Sequence, residues 1–281
     1  MGIRAKITPA KFSAIGAHAI LILIAGVVLL PYLWMLLTAM RAPAEIFSSP
    51  FGLPHDLSFL FDNFRRAFQS VPMARFLLNG AVVVTCLLVL QLAVAVPCAY
   101  ALAKFDFRGS KLMFGAVVAA LCVPIQVPML PIYIALAYMG ALDSYFSLIF
   151  PFAVSPFAIF LLRQQFKSFP DEIIQAARLD GFSEIEIMAR LIVPSAKPVI
   201  AAFAIFSITA HWNDLYWPLI VVSSETMATP PLGMLFFRDG DVGTDYGSLM
   251  AGAIVTVLPV MIIFLVAQRQ FVRGLTMTGL R

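Results

Sequence analysis

"FPDEIIQAARLDGFSEIEIMARLIVPSAKP", residues 169–198, is the most acidic stretch of a 281-residue chain that is 61% hydrophobic, and it carries the punctuation of two short helices. Ser168-Phe-Pro-Asp171 offers an N-cap hydroxyl, a proline in the first turn and two acids, Asp171 and Glu172, at the positive end of a helix dipole. That helix runs through Ile173, Ile174, Ala176 and Ala177 to Gly181, the residue type best suited to the left-handed conformation that closes a helix. Ser183-Glu-Ile-Glu186 then fits an S-x-x-E capping box, and Pro194 marks where the second helix must stop or bend. The segment reads as helix, glycine turn, helix.

On both sides of it the chain turns apolar. Only 12% of the residues are charged and the mean hydropathy is +0.94, more apolar surface than a soluble domain can hide. A helix needs about 20 mostly apolar residues to cross about 30 Å of hydrocarbon. Six windows meet that need, near Phe12–Thr38, Phe76–Ala103, Leu112–Tyr138, Tyr145–Leu162, Val199–Val222 and Leu249–Ala267. Each is expected to be helical, because a span must satisfy its backbone polar groups internally. The fold class predicted is an all-α membrane protein with six transmembrane helices and a cytoplasmic helix pair between the fourth and fifth. Arg4, Lys6 and Lys11 before the first apolar run resemble the start of a signal peptide, but the run is too long, so a retained first span is expected.

Orientation follows from lysine and arginine in the short loops. With the N-terminus cytoplasmic, fourteen of the nineteen fall inside, leaving Arg41, Arg65, Arg66, Arg75 and Arg238 outside. Both termini are therefore predicted cytoplasmic, and the net charge of +4 reflects topology. The three cysteines, Cys86, Cys98 and Cys122, lie inside predicted spans without metal-ligand spacing and read as small packing residues.

A helix pair around a glycine also describes a DNA-binding helix-turn-helix. Here, over residues 171–190, five acids against two arginines leave −3, which repels phosphates, so no nucleic-acid partner is expected. A membrane-surface helix favours Lys and Arg on its polar face, whereas here acids outnumber them. Docking to another protein fits better: Ala176 and Ala177 are small enough for close backbone approach, with charged residues for a polar rim.

Gln175-Ala-Ala177, Gly181 and Leu191-Ile-Val-Pro194 resemble, in spacing throughout, the E-A-A-x3-G-x9-I-x-L-P loop of binding-protein-dependent ABC importer membrane subunits. "AYALAKFDFRGSKL" (99–112), "VPIQVPMLPIY" (123–133), "FLLRQQFKSFPDEI" (160–173), "HWNDLYWPLIV" (211–221) and "QRQFVRGLTMTG" (268–279) are similar to the sugar-type permeases of that family, which include maltose and glycerol-phosphate importers. The resemblance covers roughly residues 72–280. It implies ATPase coupling by Gln175, Ala176, Ala177, Arg178, Asp180, Gly181 and Pro194. Gln175 departs from the family glutamate, keeping hydrogen bonding but losing charge assistance, and Asp171, Glu172 and Glu184 are the acids placed to compensate.

The organisation expected is an N-terminal tail, first helix and external segment over 1–71, a permease core over 72–270 and a cytoplasmic tail over 271–281. No G-x-x-x-x-G-K-[ST] phosphate loop occurs, so no cofactor is expected on this chain. The resemblance places ATP and Mg on two partner ATPase subunits, and adds a homologous second permease, an external solute-binding protein and a location in the cell inner membrane.

Intramembrane polar groups are costly in lipid and mark a solute path. The fifth window is richest, with His211, Trp212, Asn213 and Asp214, and Gln126 stands between Pro124 and Pro128 in the third. Aromatic faces beside amide and carboxylate groups suit a polyhydroxylated solute. The competing reading has Asn213 and Asp214 capping or cross-linking helices, with Trp212 and Trp217 as interfacial anchors. His211 and Asp214 have an i, i+3 spacing but no third metal ligand nearby. The external segment 223–248 is expected to turn at Asp239-Gly-Asp241 and Gly243-Thr-Asp245. A membrane-embedded enzyme would need a motif that His18, His55 and His211 do not form. A secondary transporter would show coupling carboxylates and repeat symmetry, and only Asp214 qualifies.

Overall fold

A computed structural model describes residues 11–48, 52, 54, 56, 58–239 and 243–277. Arg4, Lys6, His55, the centre of the Asp239-Gly-Asp241 turn and the tail 278–281 lie outside the described residues. The chain divides into two compact units, Met1–Phe68 with Arg238–Ile254, and Gln69–Phe237 with Val255–Arg281.

The first unit holds α1 (Lys11–Ala39), α2 (Pro43–Ser48), most of α3 (Ser58–Ser70), the paired strands β1 (Arg238–Asp239) and β2 (Gly243–Thr244), and the start of the last helix. Its organiser is Asn63 on α3, whose side-chain amide donates to the carbonyls of Ala39 (2.9 Å) and Arg41 (3.0 Å) and so stitches α3 to the end of α1. Arg66 donates to Asn63 Oδ1 and pairs with Asp245 at 3.5 Å. Asp245 in turn accepts from the backbone N–H and hydroxyl of Ser248. A Cβ on Gly247 would sit 2.8 Å from the Asn63 amide, so the close approach requires glycine there. The expected Gly243-Thr-Asp245 turn is thus a short strand followed by a helix cap. Pairing with Arg238 and Asp239 extends Gly243 and Thr244.

The second unit is built on α4 (Met73–Lys104), an apolar helix with Pro97 inside it. After it come α5 (Ser110–Cys122), α6 (Met129–Tyr138), α7 (Tyr145–Ile149), a 3₁₀ turn at Phe150–Phe152 and α8 (Pro156–Lys167). Next are α9 (Asp171–Leu179), α10 (Glu184–Ile187), a π turn at Met188–Ile192, α11 (Val193–Ser195) and α12 (Lys197–Trp212). α13 (Tyr216–Val221), α14 (Pro230–Gly233) and the later part of α15 (Tyr246–Met277) complete it. α4 lies along α8 and α12, while α5 packs on α8.

Two apolar cores are seen among the described residues of this unit. One gathers Ala95, Ala99 and Tyr100 of α4 with Leu162 and Phe166 of α8 and Phe203 of α12. The other joins Val83 and Leu87 of α4 to Leu136, Leu148, Trp217 and Val221. Trp217 is therefore packed inside, donating its indole N–H to the Ser147 carbonyl, rather than standing as an interfacial anchor. Asp143 clamps the loop after α13, its Oδ1 accepting from the backbone N–H groups of Ser223 and Ser224. Partial burial pushes the Asp143 carboxyl up, but these bonds outweigh it and hold the group below its ordinary value.

Among the described residues three helices are long and apolar enough to cross a membrane, or up to five if each bent pair is one span. Along the first of them side chains such as Ile22, 72% exposed, face outward, as a lipid solvent allows. The third window is broken, α5 and α6 being separated by residues 123–128, because Pro124 and Pro128 remove two amide donors from the ladder. The fourth bends by 40° across Ala153–Ser155, and the fifth ends at Trp212 before restarting as α13. Cys86 and Cys122 are exposed, not packed, since each sits on the outward side of its helix.

Candidate functional sites: a helical hairpin and a polar cavity

The hairpin 169–198 has two unlike faces. Ile174, Ile187 and Ile192 are buried in the core shared with α4, α8 and α12. Ala177, 9% exposed, joins them, while Ala176 is exposed, so the two alanines do not share a docking face. Adjacent helix positions are about 100° apart, which sends one inward when the other points out. On the outer side Leu179 is 90% and Ile185 73% exposed, with Gln175, Asp180 and Gly181 exposed beside them.

Local chemistry sets the bends. Gly181 has φ +84, in the left-handed region where glycine carries no Cβ penalty. Ser183 and Glu186 form the reciprocal capping box, the Ser183 hydroxyl accepting from the Glu186 N–H and Glu186 accepting from the Ser183 N–H. Ser168 does not cap α9. It closes α8 instead, donating to the Gln165 carbonyl at 2.8 Å, and Pro170 holds the N-cap position without a side-chain bond. Pro194 is exposed and follows the π turn, in which the Val193 N–H donates to the Met188 carbonyl. A proline cannot continue the ordinary ladder, and the chain then turns by 77° into α12.

Polar ties bind the hairpin to the end of α4. The Tyr100 hydroxyl donates to Glu184 Oε2 at 2.7 Å, and Arg178 Nε donates to Glu184 Oε1 at 2.6 Å. The bond to Glu184 raises the already high Arg178 pKa. Lys104, its side chain only 4% exposed, donates to Asp171 and to the Phe169 carbonyl, both at 2.6 Å. Arg163 of α8 donates to the Leu102 carbonyl and lies 3.6 Å over the Phe114 ring.

The second site centres on His211. A cavity of about 220 Å³ brings Gln126, His211 and Asp214 together with Phe152, Met129 and Tyr216. Trp212 and Asn213 stand elsewhere. Trp212 turns the other way, its indole N–H donating to the Thr256 carbonyl at 2.9 Å and its ring abutting Gly80. Asn213 closes α12 by donating to the Thr209 carbonyl. Asp214 does cap α13, accepting from the N–H groups of Tyr216 and Trp217, while still lining the cavity.

Sequence reading passed over Gln91 and Ser207. Gln91 is 3% exposed on α4 and donates from Nε2 to the Phe152 carbonyl at 2.9 Å. Its Oε1 accepts from the Ser207 hydroxyl at 2.6 Å, and Nε2 lies 3.1 Å from His211 Nε2. A carbonyl only accepts, so Nε2 is the amide nitrogen and His211 Nε2 must accept, which puts the imidazole proton on Nδ1. The signal available was a lone amide within a long apolar window, to which the cost of a polar group in lipid applies equally.

A mainly helical chain with helices long and apolar enough to cross a membrane, and with a buried polar node beside a cavity, has the build of a membrane transport subunit. The chain belongs to the family described as binding-protein-dependent transport system inner membrane component, whose model matches residues 91–277. It is 33% identical over 92% of its length to the diacetylchitobiose uptake system permease protein NgcG of Streptomyces coelicolor, covering 86% of that protein. It is also 33% identical to the arabinooligosaccharides transport system permease protein AraQ of Bacillus subtilis, covering 90% of each chain. With the sn-glycerol-3-phosphate transport system permease protein UgpE of Escherichia coli O1:K1 it shares 31% identity, over 92% of this chain and 94% of the other. In fold it matches a chain of a bacterial ABC transporter involved in the import of the acidic polysaccharide alginate, with a TM-score of 0.81 at 21% identity over 96% of this chain and 100% of that one.

Proposed function

We propose that this chain forms half of the translocation path of an ATP-driven importer for a carbohydrate or a related polyol or glycerol-phosphate-type solute. The relatives whose names state a solute take up diacetylchitobiose, arabinooligosaccharides and sn-glycerol-3-phosphate, which supports this range. The path residues are Gln126, His211 and Asp214, to which the cavity adds Phe152, with Gln91 reaching His211 from α4. Six crossings with both termini cytoplasmic fit the charge distribution, the window 112–138 crossing as α5 and α6 in series. The other half of the path belongs to a homologous permease, fed by an external solute-binding protein.

Energy enters at the hairpin. Two cytoplasmic ATPase subunits, holding ATP and Mg, dock on this hairpin and its counterpart, and here Leu179, Ile185, Ala176 and Gly181 form the apolar contact. Gln175 supplies hydrogen bonds at its edge. Of the acids placed to compensate for the missing glutamate, Asp171 and Glu184 are already engaged by Lys104, Arg178 and Tyr100, which leaves the exposed Glu172.

The observation that carries the mechanism is the pair of ties from α4 to the hairpin through Glu184 and Asp171. A displacement of the docked hairpin is delivered to α4 as well as to the spans flanking it. α4 bears Gln91, nine residues before Tyr100 or about 13 Å along the helix, so the same rod reaches His211. Closure of the ATPase pair then rocks the spans about the cavity.

The test is purification of the tagged chain in mild detergent. It is expected to bring an ATPase and a second permease with it, and Leu179→Asp with Ile185→Asp should lose the ATPase while keeping the permease. A chain that emerges alone, or a double variant that retains its ATPase, would refute the docking assignment.

A further inference from the structure

α3 is tied to the ends of two apolar helices at once. Asn63 donates to the carbonyls of Ala39 and Arg41, where α1 stops, and the same side chain abuts Gly247 at the start of α15. Arg66, one turn on, pairs with Asp245 just before that start. α1 offers the apolar run Gly16–Ala39, 24 residues, or about 36 Å at 1.5 Å per residue. α15 offers Tyr246–Val266, 21 residues, or about 32 Å. Each is just enough for a hydrocarbon layer of about 30 Å, so the level at which α1 stops and α15 starts is the boundary between lipid and water. The bonds of Asn63 thereby set the depth of α3 at that boundary.

Its sequence suits the place. Asn63 and Ala67, both buried, mark the side turned to the protein. At about 100° per residue, Phe64, Phe68 and Phe61 follow round one flank within about 120° of Ala67. Phe64 is half-buried, Phe68 exposed and Phe61 76% exposed. Asp62, Arg65 and Gln69, all exposed, occupy the far side. Phe47 of α2, 71% exposed, is a further ring at the same level, since it meets Tyr246, the first residue of α15, edge-on with centroids 5.3 Å apart. A tyrosine at the end of a span is itself the usual mark of the interface. In water these phenyl rings would form an apolar patch without a cover, and a binding protein that departs after each delivery would leave them bare. The boundary between headgroups and acyl chains covers them at all times, and the exposed Arg65 is placed to meet lipid phosphates.

We propose that α3 is an interfacial anchor. Its Phe61–Phe64–Phe68 flank, together with Phe47, is sunk into the phospholipids of the leaflet that, in the topology given above, lies away from the hairpin, and through Asn63 it holds the ends of α1 and α15 at a fixed depth. The partner is a lipid surface, met by acyl chains against phenyl rings rather than by recognition of one headgroup.

The test uses the assembled transporter, purified by a tag on this chain and reconstituted in vesicles of phosphatidylethanolamine and phosphatidylglycerol. Nitroxides are placed at Phe47→Cys, Phe61→Cys, Phe68→Cys, Asp62→Cys and Gln69→Cys with the chain's own three cysteines replaced by alanine, and the signal of the cysteine-free chain's complex is subtracted. The three phenylalanine positions are expected to collide more with oxygen, which concentrates in lipid, than with a water-soluble nickel chelate, at a depth of about 5–10 Å. Asp62→Cys and Gln69→Cys should show the reverse. On the unsubstituted complex, a phosphatidylethanolamine with a diazirine near the top of an acyl chain should label residues 58–70. Phe61→Asp with Phe68→Asp should lose that label, and Phe61→Leu with Phe68→Leu should keep it. Nitroxides at 61 and 68 that meet the nickel chelate more than oxygen put the flank in water and overturn the anchor. Nitroxides there that meet neither reagent show a protein cover, such as the second permease, and overturn it too, as does a loss of collisions with both reagents only when solute-binding protein is added. A diazirine label absent from 58–70, or one that survives the aspartates, has the same force, and each of these results leaves the importer reading intact.

Discussion

Gly181 is the residue on which the hairpin turns. At φ +84 with nothing within 4 Å of an added Cβ, its constraint is conformational rather than steric crowding. A side chain in that region costs roughly 1–2 kcal/mol, and more for a β-branched one. Gly181→Val is therefore expected to abolish transport by misdirecting α10 relative to α9, while the external binding protein still captures solute. Calorimetry on the binding protein and uptake assays on whole cells separate the two steps; normal uptake with normal ATPase stimulation would show that the turn geometry is dispensable. Gly181 and the Ser183–Glu186 box were legible because their meaning is local. Gln91 was not, since its worth lies in Phe152, Ser207 and His211, up to 120 positions away in sequence. Trp212 and Asn213 lie off the His211 cavity for the converse reason: neighbours of His211 in sequence leave a helix end in different directions.

Among the elements, α4 changes the mechanism most. Sequence connectivity singles out α8 and α12 as the spans joined to the hairpin, but the Tyr100–Glu184 and Lys104–Asp171 bonds make α4 a third arm. A hydrogen bond to a charged group contributes about 1.5–3 kcal/mol. Tyr100→Phe removes the hydroxyl and spares the ring's place in the core. In proteoliposomes the variant complex should hydrolyse ATP near the normal rate yet move several-fold less solute per ATP. An unchanged ratio, with only a lower melting temperature, would reduce the bond to a structural role. Helix positions were mostly readable from apolar windows, whereas their interruptions were not. Pro124, Pro128, Pro151 and Pro156 are visible in any sequence, but whether a proline kinks or severs a helix depends on which neighbours satisfy the released carbonyls.

At the level of the whole molecule, the charge distribution predicts which loops face the cytoplasm. In a background with Cys86, Cys98 and Cys122 replaced by alanine, Asp106→Cys and Glu225→Cys place thiols at exposed positions that the charge distribution assigns to opposite sides. A membrane-impermeant maleimide added to intact cells is expected to label Glu225→Cys alone, with Asp106→Cys reacting only after permeabilisation; the opposite pattern would invert the topology. The apolar content and the six windows made the membrane class plain, and the hairpin spacing pointed to the family. The cavity beside His211 was less legible because it is assembled from α12, the start of α13, the 3₁₀ turn and the α5–α6 break, whose adjacency no local pattern encodes.

The division of the hairpin into an inward face fixed by Ile174, Ala177 and Ile187 and an outward ridge of Leu179 and Ile185 has an evolutionary corollary. Substitutions on the ridge leave the interior packing untouched, so under the docking proposed above compatibility with a different motor protein can drift or be re-engineered there at little risk to folding. Transplanting the entire hairpin from a distant transporter would instead require its host helices to be recut to match.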